Sequence, residues 1–238
     1  MRILRRIKVV LTDFDGVLVD SYSCLPEIYR EIGKMAGVPL SRLEQFVERA
    51  IEYEDIEDAR KNYDHRKWWP RLFREFAIDV NENIINNLAD LFWRMRKKRS
   101  TIIRGAKEFL EFITRQGIKV IVLAGNDGKR GLKKLRVESS PLAKFFEEII
   151  IVGDDVEDRP SAVIDISRRY GVAFGEILFI DDKPDPINEI HDACPNISTV
   201  KVNYRGILKR SWQGNCRADI NVDNLKELLA LILNQKDS

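Results

Sequence analysis

Four short apolar runs punctuate the chain, and stretches with helical spacing follow several of them. The runs are Val9-Val10-Leu11, Val120-Ile121-Val122-Leu123, Ile149-Ile150-Ile151-Val152 and Ile177-Leu178-Phe179-Ile180. Each is a few residues long, apolar or β-branched throughout, and followed by small or acidic residues, which predicts buried parallel strands. Residues 106–116 place Phe109, Leu110, Phe112 and Ile113 at helical spacing and meet a stop at Gly117. Residues 162–170 repeat that logic and end at Gly171. Residues 225–233 read as a helix apolar on more than one side, which is expected to pack on a sheet. Strand alternating with helix predicts an α/β protein built on a doubly wound parallel sheet.

Residues 21–100 break the alternation and contain no convincing strand. Leu43, Phe46, Val47, Ala50 and Ile51 recur at helical spacing, as do Ile84, Ile85, Leu88, Leu91, Phe92 and Met95. The segment therefore reads as a helical domain inserted after the first strand, with Pro26, Pro39 and Pro70 marking helix starts or breaks. Asp20 and Ser21 are expected to cap its first helix or to form a hinge. The cluster His65-Arg66-Lys67-Trp68-Trp69-Pro70 is accounted for by packing within this domain. Adjacent tryptophans on a helix cannot both face one core, so one of the pair is expected to line a cleft. The run Arg94, Arg96, Lys97, Lys98 and Arg99 reads as a solvated helix end, where cations suit the dipole.

Bulk composition narrows the class. The chain has 238 residues, of which 44% are hydrophobic, enough for a substantial core. Lys and Arg number 40 against 38 Asp and Glu, so the formal charge of +2 gives no basic field for nucleic acid. No apolar stretch approaches membrane-spanning length. The N-terminus is basic (Arg2, Arg5, Arg6, Lys8), but the apolar run after it is too short for a signal peptide. Cys24, Cys194 and Cys216 have no metal-type spacing and read as free thiols of a reducing cytosol, so a cytoplasmic location is expected.

The chemistry concentrates where two runs end. Val9-Val10-Leu11-Thr12 runs straight into Asp13-Phe14-Asp15-Gly16. Ligands of parallel α/β sheets bind at the carboxyl ends of the strands. Carboxylates at i and i+2 of an extended chain point to one side, which makes Asp13 and Asp15 a pair for metal binding, nucleophilic attack or proton transfer. Gly16 then lets the chain turn away sharply. The fourth run ends in Asp181-Asp182, with Lys183 to balance charge and Asp185 just beyond. Asp154 and Asp155 fit a turn, or a minor share of a metal shell.

Asp13-Phe14-Asp15-Gly16-Val17-Leu18 resembles the first signature of the haloacid dehalogenase-like superfamily, and Leu178-Phe179-Ile180-Asp181-Asp182 resembles its fourth. The inserted helices fall where that family's C1 cap belongs, and Ala218-Asp219-Ile220 before an apolar helix matches many C1-capped members. The resemblance spans nearly the whole chain. It implies a three-layer Rossmann-like core over residues 1–20 and 101–238 and a C1 cap over residues 21–100. It implies Mg²⁺-dependent phosphatase activity on a small phosphorylated metabolite. Asp13 would be the nucleophile that forms an aspartyl phosphate, and Asp15 the acid and base. Asp13, the backbone carbonyl of Asp15, Asp181 and Asp182 would supply the metal shell.

Two positions depart from the family pattern. The second motif ends in Ser or Thr, whereas Ala124-Gly125-Asn126 stands here, with Ala124 or Gly125 in the hydroxyl position according to register. Asn126 and backbone N–H groups remain as donors to a phosphate. The third motif supplies Lys, whereas Asp158-Arg159-Pro160-Ser161 puts Arg159 there, a fork-shaped cation able to grip phosphate. Lys129, Lys133 and Lys134 are alternative cations. The departures leave three readings: a phosphatase with a modified phosphate cradle, a weak or inactive binding protein, and a 2-haloacid dehalogenase. Dehalogenation needs no Mg²⁺, so retention of Asp15, Asp181 and Asp182 favours phosphoryl transfer. Monomer and homodimer both remain open, the latter through exposed aromatic residues of the cap.

Overall fold

The computed structural model describes residues 6–234, so Arg2 and Arg5 of the basic N-terminus lie outside the described residues. The chain divides into two compact units: residues 1–20, 102–205 and 212–238 form one, and residues 21–101 with 206–211 form the other. In chain order the elements are β1 (Val9–Thr12), β2 (Val19–Asp20), α1 (Leu25–Ala36), α2 (Leu43–Ala59), α3 (Trp69–Glu75), α4 (Glu82–Arg99) and β3 (Thr101–Ile102). There follow α5 (Ala106–Arg115), β4 (Lys119–Gly125), α6 (Leu132–Glu138), β5 (Glu148–Val152), α7 (Arg159–Tyr170) and β6 (Ile177–Asp181). The last are α8 (Pro184–Ala193), β7 (Ser198–Val202), β8 (Ile220–Val222) and α9 (Leu225–Asn234).

The first unit is an α/β fold on a six-stranded sheet in the order β5-β4-β1-β6-β7-β8, parallel at each pairing. The four apolar runs are the strands β1, β4, β5 and β6. They carry no polar alternation because both faces are covered. Val10, Val120, Val122 and Leu178 face one buried layer with Phe109, Leu110 and Ile113 of α5 and Leu225, Leu228 and Ile232 of α9. Val9, Leu11, Ile121, Leu123 and Phe179 face the other, with Ala162, Val163 and Ile166 of α7 and Ile187 and Ile190 of α8. The result is three layers with the expected terminal helix packed on the sheet. β7 and β8 extend the sheet beyond the four apolar runs. Thr199 of β7 is pinned by Asp219, which accepts from its backbone N–H at 2.7 Å and its hydroxyl at 3.0 Å.

The second unit is helical, and four local expectations are corrected in it. The residue that caps α1 is Cys24, with Pro26 in the first turn, so Asp20 and Ser21 do not cap that helix. Trp68 and Trp69 are both buried. Trp68 sits at the junction between a 3-10 turn and α3 with φ −124°, outside helical geometry, so the two rings meet edge to face at 6.1 Å within one core. The aromatic residues thus pack inside the unit: no aromatic residue stands among the large exposed hydrophobics of the described residues, and an aromatic dimer surface has no support. Arg96 is also buried, donating from Nε to the Ser21 carbonyl and from Nη2 to its hydroxyl, both at 3.2 Å. It therefore leaves the solvated basic run. Glu54 completes the buried polar group, accepting from the Tyr29 hydroxyl and lying 3.1 Å from His65 Nε2. Among the described residues no helix is long and apolar enough to cross a membrane.

Gly105 shows how closely α9 seats on the first unit. It starts α5 at φ +86°, and a Cβ there would stand 2.4 Å from the backbone nitrogen of Lys226. Gly117 has a similar φ of +75° but open space. Gly105→Ala is expected to lose about 2–4 kcal/mol, from backbone strain plus overpacking, and to melt about 5–15 °C lower. Gly117→Ala carries the strain alone, about 1–2 kcal/mol. Thermal melts of the two variants side by side check the assignment; equal losses would remove the clash.

Candidate active site

Strand register builds the site. β1 and β6 are adjacent and parallel with Thr12 opposite Ile180, so the next residues, Asp13 and Asp181, fall side by side at the carboxyl edge. The ladder continues into the site: the Asp13 N–H donates to the Ile180 carbonyl at 2.9 Å. Asp13 follows Leu11, and Asp181 follows Phe179, by two positions on the same pleat face. Asp182 joins them, and one carboxylate oxygen from each of the three lies within 4.8 Å of the others. Asp181 and Asp182 are fully enclosed, while Asp13 keeps partial exposure.

Gly16 makes room for this cluster. At φ +81° it turns the chain back after Asp15, and a Cβ there would overlap Asp182 Oδ2 at 2.0 Å. The turn is tied by Gly16 N–H donating to the Val19 carbonyl at 2.8 Å and Leu18 N–H donating to Phe14 at 3.0 Å.

Two of the three carboxylates are half-satisfied in a matching way. Asp181 Oδ1 accepts from the Lys183 N–H at 2.9 Å, and Asp182 Oδ2 accepts from the Trp212 indole N–H at 2.6 Å. Their other oxygens, Asp181 Oδ2 and Asp182 Oδ1, are buried without a hydrogen-bond partner. Burial first, and repulsion by Asp181 second, push the Asp13 carboxyl up to about 7. Asp182 is raised well above its ordinary value by burial, then by Asp181 and Asp13. Asp181 is raised by burial despite the opposing charge of Arg159. Bare, enclosed, mutually repelling oxygens fit a hard divalent cation, and Mg²⁺ matches an all-oxygen donor set.

Asp15 takes a different direction. β1 ends at Thr12, so the two-residue alternation no longer holds at Asp15, and its carboxylate is outside the trio. It is buried against α6 instead. Arg136 bridges both its oxygens, at 2.7 and 3.1 Å, and Lys133 pairs with Oδ2. Asp127 completes the group, 2.7 Å from Arg136 and 3.2 Å from Lys133. Two cations and two anions thus form a buried quartet. Burial alone would lower the Lys133 pKa, yet Asp127 and Asp15 carry it above its ordinary value.

The remaining candidates separate by face. Ala124 points into the apolar layer with Val120 and Val122, away from the site. Gly125 lies on the other face, and its missing Cβ would stand 4.0 Å from Arg159 Nη2. Gly125, not Ala124, is therefore the residue of this pair on the side of Arg159. Arg159 begins α7, pairs with Glu189 at 3.5 Å, and has a buried Nε without a partner. Asn126 folds its own loop, its Oδ1 accepting from the Gly128 N–H at 2.9 Å. Asp154 and Asp155 accept backbone N–H groups of Gly131 and Ile151, at 2.7 and 3.0 Å, and are outside the trio. Asp185 and His191 are exposed on α8, and Lys134 reaches only Asp155, at 3.7 Å. Arg136, Asp127 and Trp212 were not singled out from the sequence. Arg136 had a signal, standing three residues from Lys133 on one helix face; Trp212 ends a single 3-10 turn, Arg210–Trp212, too short to carry a periodic pattern, and had none.

Comparison with known proteins agrees with this architecture. A family model described as haloacid dehalogenase-like hydrolase matches residues 7–187. A phosphorylated carbohydrates phosphatase of Thermotoga maritima is 21% identical over 192 residues, covering 78% of this chain and 81% of that protein. A Thermotoga maritima structure assigned as a beta-phosphoglucomutase superposes with a TM-score of 0.69 at 20% identity, covering 96% of this chain and 99% of that one. The L-2-haloacid dehalogenase of Xanthobacter autotrophicus superposes with a TM-score of 0.66 at 15% identity, covering 95% and 98%. At these identities the superpositions speak for the fold, while the family model covers most of the chain; this protein belongs to the haloacid dehalogenase-like hydrolases.

Proposed function

We propose that the protein is a Mg²⁺-dependent phosphatase that hydrolyses a small phosphate monoester through an aspartyl-phosphate intermediate on Asp13. The observation that carries the reading is the trio of Asp13, Asp181 and Asp182, with two buried oxygens that no protein donor satisfies. The similarity to a protein named as a phosphorylated carbohydrates phosphatase supports a sugar-phosphate type of substrate. A dehalogenation site has no use for three clustered carboxylates, and the likeness to the dehalogenase is one of fold.

Asp13 is the member of the trio with access to a substrate, and its carboxylate attacks the phosphorus. Mg²⁺, held by Asp13, Asp181 and Asp182 with the Asp15 carbonyl, would neutralise charge on the transferring group. Arg159 grips the phosphoryl oxygens with a planar fork, in the space that Gly125 leaves beside it. The Lys133 ammonium adds positive charge beside Asp13. Asp15, ion-paired with Lys133 and Arg136, is the base that takes a proton from the attacking water. To give a proton to the leaving oxygen it must first part from α6. The helical unit would act as the cap that excludes water, and the protein would work in the cytoplasm as a monomer or homodimer.

Asp13→Asn is expected to lower Mg²⁺-dependent hydrolysis of p-nitrophenyl phosphate by roughly a thousandfold or more, with the fold intact by circular dichroism. Retained turnover in that variant would remove the nucleophile, and no wild-type turnover across a panel of phosphorylated metabolites would favour a binding protein. A pH dependence follows from the same carboxyl. With its folded pKa near 7 against 3.8, Asp13 keeps a proton that the unfolded chain gives up. Its contribution to stability is therefore full below about pH 4 and is lost as pH rises to about 7. In EDTA, wild type should lose stability relative to Asp13→Asn across that window, and saturating Mg²⁺ should recover the loss. A pH-independent difference in melting temperature would contradict it.

A further inference from the structure

Asp181 and Asp182 are neighbours in sequence but are oriented by different means. Asp181 is held locally, by the N–H two residues on. Asp182 takes its donor from a 3-10 turn 30 residues further along: the Trp212 indole N–H, at 2.6 Å from Oδ2. The indole is itself held on its ring. Tyr204 stacks on it at 4.3 Å with 26° between the planes, and the Lys183 ammonium lies 4.5 Å from its centroid. Lys183 thus fixes Asp181 through its backbone and Trp212 through its side chain. Trp212 has no part in the proposed hydrolysis itself.

We infer that Trp212 is a positioning residue for the metal: by occupying Asp182 Oδ2 it presents Oδ1 to the cation as a single, pre-oriented ligand. The inference rests on the metal-site reading given above and extends it to a residue outside the family's motifs. An indole N–H is a donor only and carries no charge, so it orients a carboxylate without competing for the cation. Partners of this kind, one bond behind a ligand, commonly alter metal affinity by 10- to 100-fold. Gly16 adds the second restraint, since its lack of a Cβ is what admits Oδ2 to this position. Cation binding draws electron density from the Asp182 carboxylate and weakens the bond from the indole, so Trp212 should also report occupancy through its emission.

The test is Mg²⁺ titration of wild type and Trp212→Phe, by calorimetry and by tryptophan fluorescence. Phe keeps an aromatic ring for Tyr204 and Lys183 but has no N–H. The expected result is a dissociation constant about tenfold or more weaker in Trp212→Phe. The metal-free fold should be retained by circular dichroism, and the Mg²⁺-dependent emission change should be lost although Trp68, Trp69 and Trp93 remain. Wild-type or tighter affinity in Trp212→Phe overturns the inference, as does an emission change that survives the substitution. Should Trp212→Phe fold poorly, Asp182→Asn is the second variant: the Trp212 signal must vanish there too, and its persistence counts against the proposal. Because the readouts are affinity and emission, a protein that binds Mg²⁺ through Trp212-oriented Asp182 yet hydrolyses no phosphate ester would sink the phosphatase reading alone.

Discussion

The pairing of β1 with β6 is the constraint on which the rest of the structure depends. It brings Asp13 and Asp181 to adjacent strand ends, with Asp182 beside them, two of the three fully buried. Such a cluster opposes folding, as the upward displacement of all three carboxyls records. It persists because the apolar layers on both sheet faces hold the register: a slip by one residue would turn Val9 and Leu11 to the wrong layer. The hydrophobic pattern thus positions the chemistry, and a divalent cation, as proposed, would relieve the cost of the cluster.

Around the trio the positive charge comes from Lys183, which directly follows Asp182, and from two further places. Arg159 stands at the start of α7, close to Gly125, and retains an unsatisfied buried nitrogen. Lys133 and Arg136 belong to α6 and are joined to Asp15 and Asp127. Removing one member of such a buried group strands its partners and is far more damaging than replacing the whole. The quartet therefore acts as a brace between the turn after β1 and the helix after β4, and it holds Asp15 ready in one orientation.

Much of this was legible in the chain before any coordinates. Apolar runs without alternation marked the four central strands, and Gly117 and Gly171 marked two helix ends. β7 and β8 were not seen: Ser198-Thr199-Val200-Lys201-Val202 alternates weakly, and Ile220-Asn221-Val222 is very short. Their pairing depends on tertiary contacts such as Asp219 with Thr199. Within the site, Asp13, Asp181 and Asp182 were readable because strand ends are local features. The direction of the Asp15 side chain was not, since the chain bends at Phe14, between the two acids. The same holds for Trp68, whose non-helical φ let both tryptophans turn inward. The choice between Ala124 and Gly125 needed the actual strand register.

The distance along the chain between the two halves of the site has a kinetic consequence. Asp181 follows Asp13 by roughly 170 residues, a loop whose closure is among the most entropically demanding in this topology. Contacts of such long separation tend to form late, which would put the repulsion between the acids on the native side of the folding barrier. Neutralising one of them would leave the folding rate nearly unchanged and slow unfolding instead. The carboxylate cluster thus sets how long the native state lasts between openings, and a cation seated there would act as a latch on that lifetime.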